Sequence, residues 1–332
     1  MTSSDNKSDE TSSEIENTAA RYAWASYYVF IFISSILGDT TVLIGSLKKY
    51  RALRLPKTVV IIIQHIAVCD LLTSLFIILP TTASLIANDW VLGNWLCISQ
   101  PYIRRHFNGV NSWLICSMIM TKLLVFLYPF RAQSLKSKHV HIGCAFIWSS
   151  VAIVPMLQVF EDKRSKMEIF FSHRFHDCNY KELFASMNKF NRLLYLIFLI
   201  IFYVLVIAAT VYLIVKAHQI AKKGRMSLRW QGLTTTILTA TIYCISGLPF
   251  VIYFIVGRSN PNIAHHVGFR KLVVASFAMN TISNFYIYCL TVKSFRGFVW
   301  YLIQHGCIKC GLISHAGTAL HGKMVNSTTT LY

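Results

Sequence analysis

An all-α membrane protein, a bundle of seven transmembrane helices with its N-terminus outside, is the fold class this sequence predicts. Three observations predict it. The chain is 55% hydrophobic and only 14% charged, which is a membrane composition. Its apolar residues gather into seven runs, each near the roughly 20 residues that cross a ~30 Å hydrocarbon layer as a helix. The loops alternate in charge. Those between runs one and two, three and four, and five and six, together with the C-terminal tail, are rich in Lys and Arg and hold no Asp or Glu. Basic loops stay cytoplasmic, so the tail is inside and the N-terminus is outside. A soluble enzyme is excluded.

The passes fall at about 23–47, 58–82, 101–127, 140–160, 193–215, 233–256 and 272–291. The domain plan is therefore an extracellular tail over 1–22, a transmembrane domain with an amphipathic helix over 23–303, and a cytoplasmic tail over 304–332. The net charge of +19 invites a nucleic-acid reading. Topology accounts for most of that excess, so no nucleic-acid partner is expected.

The N-terminal tail is polar and acidic, and it lacks the basic region and short apolar core of a cleavable signal. The run from Tyr22 to Leu47 is expected to act as an uncleaved anchor. Asn6-Lys7-Ser8 is a glycosylation sequon on the outer side, with Asn6 the acceptor. Asn326-Ser327-Thr328 lies inside, out of reach of that chemistry.

Pass one is interrupted by Gly38-Asp39-Thr40-Thr41-Val42, and pass two holds Ile66-Ala67-Val68-Cys69-Asp70. The first outer loop ends at Cys97. Among the nine cysteines only Cys97 and Cys178 are extracellular, where a disulfide forms and persists. Cys69, Cys116, Cys144, Cys244 and Cys289 are expected as buried thiols. Pass three carries Lys122, followed by Tyr128-Pro129-Phe130-Arg131. Pass four has Trp148 and Pro155. Tyr212 stands near the inner end of pass five. Tyr243-Cys244-Ile245-Ser246-Gly247-Leu248-Pro249 lies in pass six, and Asn280-Thr281-Ile282-Ser283-Asn284-Phe285-Tyr286-Ile287-Tyr288 closes pass seven.

This order resembles the rhodopsin-like (class A) G-protein-coupled receptors over about residues 22–303. The chain departs from that pattern at several places. The family's Asp-Arg-Tyr reads Thr121-Lys122-Leu123 here. Its Trp before the sixth-helix proline reads Gly247. Its Asn-Pro-x-x-Tyr lacks the proline, which reads Phe285. Its first-helix Asn reads Asp39, and its fifth-helix proline reads Val204.

The resemblance implies roles residue by residue. Asp70 matches the family's sodium-site acid, and Asn111, Asn280 and Asn284 line or adjoin that cavity. Na⁺ there would be an allosteric ion; no other cofactor is expected. Intramembrane acids face the bundle interior and take a partner. Asp39 adds a second carboxylate, and two in one apolar cavity cannot both ionise cheaply. A hydrogen-bonded network without an ion is the other reading of the same residues.

The activation switch implied by the resemblance comprises Asp39, Lys122, Tyr212, Tyr243, Pro249 and Tyr288. Lys122 keeps the charge of the family's Arg but not its planar fork. Pro249 removes one backbone hydrogen bond and bends its helix. Gly247 leaves a void for a ligand or a neighbouring aromatic.

Arg104, Asn108 and Gly247 are the candidate ligand contacts. A cation at 104 argues against an amine ligand and suits a carboxylate, sulfate, phosphate or acidic peptide. Arg104 pairing with Glu161, Asp162 or another acid of the second outer loop is the competing reading.

Phe295, Phe298, Val299, Leu302 and Ile303 form one apolar stripe after pass seven. Cys307 and Cys310 beyond it are candidate palmitoylation sites. Phosphorylation of Ser327-Thr328-Thr329-Thr330 would make an anionic patch of the kind arrestins read.

The sequence thus predicts a multi-pass plasma-membrane receptor. Its expected partners are an extracellular ligand, a heterotrimeric G protein, arrestin and the lipid bilayer. The altered switch keeps a second reading open, a non-coupling or arrestin-biased receptor acting as a scavenger or partner modulator. Retinal is excluded, because the position of the family's Schiff-base lysine is Ala278. An enzyme is not expected: His65 and Asp70, five apart, do not share a helix face.

Overall fold

A computed structural model describes residues 5–47, 52–53, 55–127, 136–165, 169–172, 176–180, 189–222, 229–259 and 267–309. Its helices follow the seven apolar runs in order and add one after the last. They are α1 (Asp5–Ser46), α2 (Lys57–Ala87), α3 (Asn94–Leu127), α4 (Ser137–Ser165), α5 (Lys189–Lys222), α6 (Arg229–Ser259), α7 (Val267–Thr291) and α8 (Lys293–Lys309). Between α4 and α5 lies an antiparallel hairpin, β1 (Ile169–Ser172) with β2 (Asp177–Tyr180), in the register Ser172↔Asp177 and Phe171↔Cys178.

Helix α1 begins at Asp5, inside the segment expected as a tail. No Gly or Pro occurs between Asp5 and Leu37, so nothing in that stretch stops a helix from propagating outward. The α2 helix opens into a π turn over Ser74–Ile78, just before Pro80. Proline has no N–H and its ring presses on the preceding turn, and the wider turn makes room for it. Asn88 ends α2 in the left-handed conformation, φ 58°, where Asn is one of the few residues at ease.

Among the described residues, four stretches are long and apolar enough to span a membrane on hydropathy alone: Thr18–Ser46, Lys57–Ala87, Leu233–Tyr253 and Gly268–Thr291. The α3 helix is long enough at 34 residues, about 51 Å at 1.5 Å per residue. Arg104, Arg105 and His106 at its outer end lower its hydropathy.

Helix α3 is the central post and touches α2, α4, α5, α6 and β2. Helix α7 packs on α6, α1 and α2. The core between them is aliphatic and aromatic, with Ile62, Ile66, Leu114, Ile115, Met118, Tyr288 and Phe295 almost wholly buried. Outward faces carry large exposed apolar side chains such as Leu37, Phe146, Leu205, Ile245 and Leu290. A helix apolar on both faces belongs in lipid.

Helix α8 buries the predicted stripe only in part, with Val299 and Leu302 half-buried. Phe295 is sealed, Phe298 nearly so, while Trp300 and Ile303 are exposed. Ser294 Oγ donates to the Ala52 carbonyl at 2.6 Å and pins the start of α8 to the first inner loop. Of the expected buried thiols, Cys69 and Cys144 are buried, and Cys116, Cys244 and Cys289 are half-buried.

Candidate functional site

Two polar assemblies interrupt the apolar bundle, one at its outer mouth and one at its centre. The outer one is organised by the disulfide Cys97–Cys178, which ties β2 to the top of α3 with a Cα–Cα distance of 5.2 Å. Gln100, one turn below Cys97, accepts a hydrogen bond from the Cys178 N–H at 3.1 Å. His176 and Asn88, 2.9 Å apart, join the hairpin to the end of α2. The hairpin is therefore held against both α2 and α3.

That anchoring places Asp177 between two cations. Arg104 Nη1 of α3 donates to its Oδ2 at 3.0 Å, and Arg270 Nη2 of α7 reaches its Oδ1 at 3.4 Å. Of the two sequence readings of Arg104, the structure shows the pairing with a second-loop acid. Asp177 and Arg270 had not been singled out, although a signal for Asp177 existed. Cys97 and Arg104 are seven residues apart, two turns along one helix face, and Asp177 adjoins the cysteine bonded to Cys97. A small cavity of about 20 Å³ lies beside the pair, lined in part by Tyr28, Thr81, Asp177, Arg270 and Lys271. That is room for about one water.

The central assembly joins α1, α2, α3 and α7. Asn111 Nδ2 and Asn284 Nδ2 donate to the two oxygens of Asp70 at 2.7 and 3.0 Å. Ser74 Oγ donates to Ser35 Oγ at 2.6 Å, and Ser35 Oγ donates to Asp39 Oδ2 at 2.7 Å. Asp39 and Asp70 are both buried, at 1% and 0% exposure; Asn280, one turn before Asn284, is also buried, but none of the hydrogen bonds of this assembly involves it. Ser35 and Ser74 were missed, since isolated serines in apolar helices carry no pattern. Four oxygens remain without a hydrogen-bond partner: Asp39 Oδ1, Asn111 Oδ1, Asn284 Oδ1 and Tyr288 Oη. Unmet acceptors in an apolar core are costly, and an oxygen-only lining suits a hard cation or water. Among the described residues no group of three or more His, Cys, Asp or Glu could hold a metal, so the amides would have to complete any site.

Below the mouth, the void at Gly247 is filled from α5. A Cβ at Gly247 would lie 2.9 Å from Tyr203 Cζ and closer still to its hydroxyl. The Tyr203 ring stacks on Tyr243, with centroids 6.3 Å apart and planes 13° apart. The Tyr243 hydroxyl is hydrogen-bonded to Ser112 of α3. Asn108 is half-buried one turn above Ser112, whose Oγ donates to its carbonyl at 2.7 Å.

At the inner end Lys122 is 6% exposed. Among the described residues, no hydrogen bond or ion pair to its ammonium is present. Tyr288 is sealed and edge-on to Phe295, and Lys216 sits 5.6 Å over the Tyr212 ring. Pro249 lies within α6. Side-chain placement of Asn6 and Cys307 lies outside the described residues, as do Tyr128–Arg131, Cys310 and Ser327–Thr330 entirely.

Comparison with known proteins adds one family and several relatives. The family described as 7 transmembrane receptor (rhodopsin family) matches residues 38–294. A gonadotropin-releasing hormone receptor of Octopus vulgaris is 25% identical over 188 residues, which is 56% of this chain and 44% of that protein. A QRFP-like peptide receptor of Branchiostoma floridae is 25% identical over 157 residues, 47% of this chain and 40% of that protein. A vertebrate ancient opsin of Salmo salar is 25% identical over 131 residues, 39% of each chain. The matched stretch thus spans less than half the length of each of these relatives.

Proposed function

The chain belongs to the rhodopsin family of seven-transmembrane receptors, which are not enzymes, and from that premise we propose that it is a ligand-activated receptor of the plasma membrane coupled to a heterotrimeric G protein. An extracellular ligand enters the outer mouth. The inner half of α6 swings out about the Pro249 bend, and the G protein docks on the basic inner face. The ligand shifts this equilibrium only by its differential affinity for the two states.

One observation carries the reading. Polar contacts join α3 to α6 through Ser112 and Tyr243, and α2 to both α3 and α7 through Asp70. Movement of α6 against α3, or of α7 against α2 and α3, therefore has to rearrange one of these polar contacts. The ligand is a peptide or an anionic small molecule. One relative is a hormone receptor and another a peptide receptor by name, and Arg104 with Arg270 and Lys271 makes the mouth cationic. Asp70, Asn111, Asn280 and Asn284 would hold Na⁺ as an allosteric ion, with Asp39 in the same network. Asn6 is the proposed glycan acceptor, and Cys307 and Cys310 are proposed palmitoylation sites. The tail serines and threonines are proposed to recruit arrestin once phosphorylated.

Lys122, buried and without a hydrogen bond or ion pair among the described residues, favours a second reading, a receptor that binds ligand without coupling. Ligand-free G-protein activation, measured across all Gα classes with surface display verified, separates the two. Basal activity lost in Lys122→Ala supports coupling. Silence in both proteins at normal display, with arrestin recruitment intact, supports the second reading.

A further inference from the structure

The acid that bridges Arg104 and Arg270 is an imperfect partner for both. Asp177 meets Arg104 only through Nη1 and meets Arg270 at the long distance of 3.4 Å. The Nε and Nη2 atoms of Arg104 are buried and have no acceptor. These two donors form one edge of the guanidinium fork, the edge that binds a carboxylate or phosphate through two parallel hydrogen bonds. Buried donors left empty are costly, and nothing in the described hairpin or helices reaches them.

Two further facts concern access. Asp177 is 3% exposed and lines the outer cavity with Arg270 and Lys271. That cavity is only about 20 Å³, too small for an acid group larger than a water. An incoming anion therefore has to take the place of the Asp177 side chain. The Asp177 backbone is not free to leave, because it is paired with Ser172 and adjoins the disulfide at Cys178. Its side chain alone can rotate away. Arg104 and Arg270 then face the vacated volume, with Lys271 on the wall of the adjoining cavity, which suits a group carrying one or two negative charges.

We propose that Asp177 is a built-in stand-in for the acidic group of the ligand: an extracellular carboxylate or phosphate displaces its side chain from Arg104 and Arg270 and takes both guanidiniums. This rests on the receptor reading above but adds an intramolecular competitor that holds the mouth closed. Release of Asp177 breaks its ion pair with Arg270 of α7 while the disulfide keeps the hairpin on α3. The ligand thus replaces the tie between the hairpin and α7 with a direct bridge between α3 and α7.

The test uses purified full-length protein and thermal unfolding, with benzoate and phenyl phosphate as probes and benzyl alcohol as the neutral control. In Asp177→Ala, benzoate or phenyl phosphate should raise the midpoint by at least about 3 °C at saturation. Its apparent affinity should be on the order of tenfold tighter than in wild type, where Asp177 competes. Whichever anion acts more strongly identifies carboxylate or phosphate as the chemistry. Benzyl alcohol should do nothing, and adding Arg104→Ala should abolish the response. Should Asp177→Ala not fold, Asp177→Asn keeps the shape and removes the charge, and the same gain is expected. Equal responses of wild type and variant, or no response in either variant, would overturn the proposal. The readout does not involve a G protein. Anion binding of this pattern in a protein that activates no Gα would therefore defeat coupling and leave the stand-in intact.

Discussion

Phe285 of α7 rests directly on Gly38 of α1: a Cβ at Gly38 would lie 2.9 Å from both Cβ and Cγ of Phe285. One heptad along the same face, a Cβ at Gly45 would lie 3.1 Å from the rings of Phe295 and Phe298 of α8. Phe285 also meets Phe295 edge-on, with centroids 6.1 Å apart. Two glycine notches on α1 thus accept an aromatic row that runs from α7 into α8. Phe285 stands where related receptors carry a proline, so a hinge position has become a packing position. Gly38→Ala should force the helices apart and cost about 1–3 kcal/mol, read as a lower thermal midpoint of purified protein. Gly143→Ala is the matched control. Nothing lies within 4 Å of that Cβ, and Ala favours a helix over Gly by about 0.5–1 kcal/mol. If both substitutions behave alike, the notch is not close-packed.

The same logic applies to Gly247, with a rescue built in. Its partner is the hydroxyl end of Tyr203, so Gly247→Ala should be destabilising while Gly247→Ala combined with Tyr203→Phe recovers part of the loss. A double-mutant cycle on thermal stability should return a coupling of about 0.5–3 kcal/mol, as expected for residues in contact. Strict additivity would mean that Tyr203 does not occupy the space left by the absent aromatic on α6.

The bundle was legible because its signals are long and repeated. Seven apolar runs and an alternating loop charge need no knowledge of which side chains touch. The disulfide was legible because topology left two cysteines outside. The partners of Arg104 were legible only as a class, since five acids lie between 161 and 192 and the sequence ranks none by reach. The hairpin register and the disulfide single out Asp177. Tyr203 was invisible for another reason: a missing side chain on α6 says that space is open, but not which neighbouring helix fills it. The outward extension of α1 to Asp5 was not legible, because a polar, acidic tail carries no apolar period, although a segment free of Gly and Pro can remain helical.

The two ends of the central network should differ in tolerance. Asp70 accepts from two amide N–H₂ groups, so Asp70→Asn sets a donor against a donor and should cost about 1–3 kcal/mol. Asp39 accepts from one hydroxyl, and Asp39→Asn can keep that bond through its remaining oxygen with little loss of stability. If Na⁺ occupies this network, Asp39→Asn should weaken the Na⁺-dependent rise in thermal midpoint by removing a nearby negative charge. An unchanged Na⁺ response would disconnect Asp39 from the ion.

Lys122 is the sharpest test of whether the inner switch still works. Its ammonium is a point charge on a flexible stem, whereas the guanidinium it replaces presents five donors in a fixed plane. Thr121 beside it has no charge, so no neighbouring acid restrains it in the resting state. Lys122→Arg restores the fork without restoring the restraint. Ligand-free G-protein activation should therefore rise, by on the order of tenfold if one good charge-assisted hydrogen bond to the G protein is regained. Surface display must be matched between the two proteins, because a planar group in a nearly sealed site also perturbs packing. A rise would identify residue 122 as the weak element of the switch. No rise at equal display would mean that the interface has been rebuilt around lysine, and that Tyr212, Tyr288 and the Pro249 bend carry the opening without it.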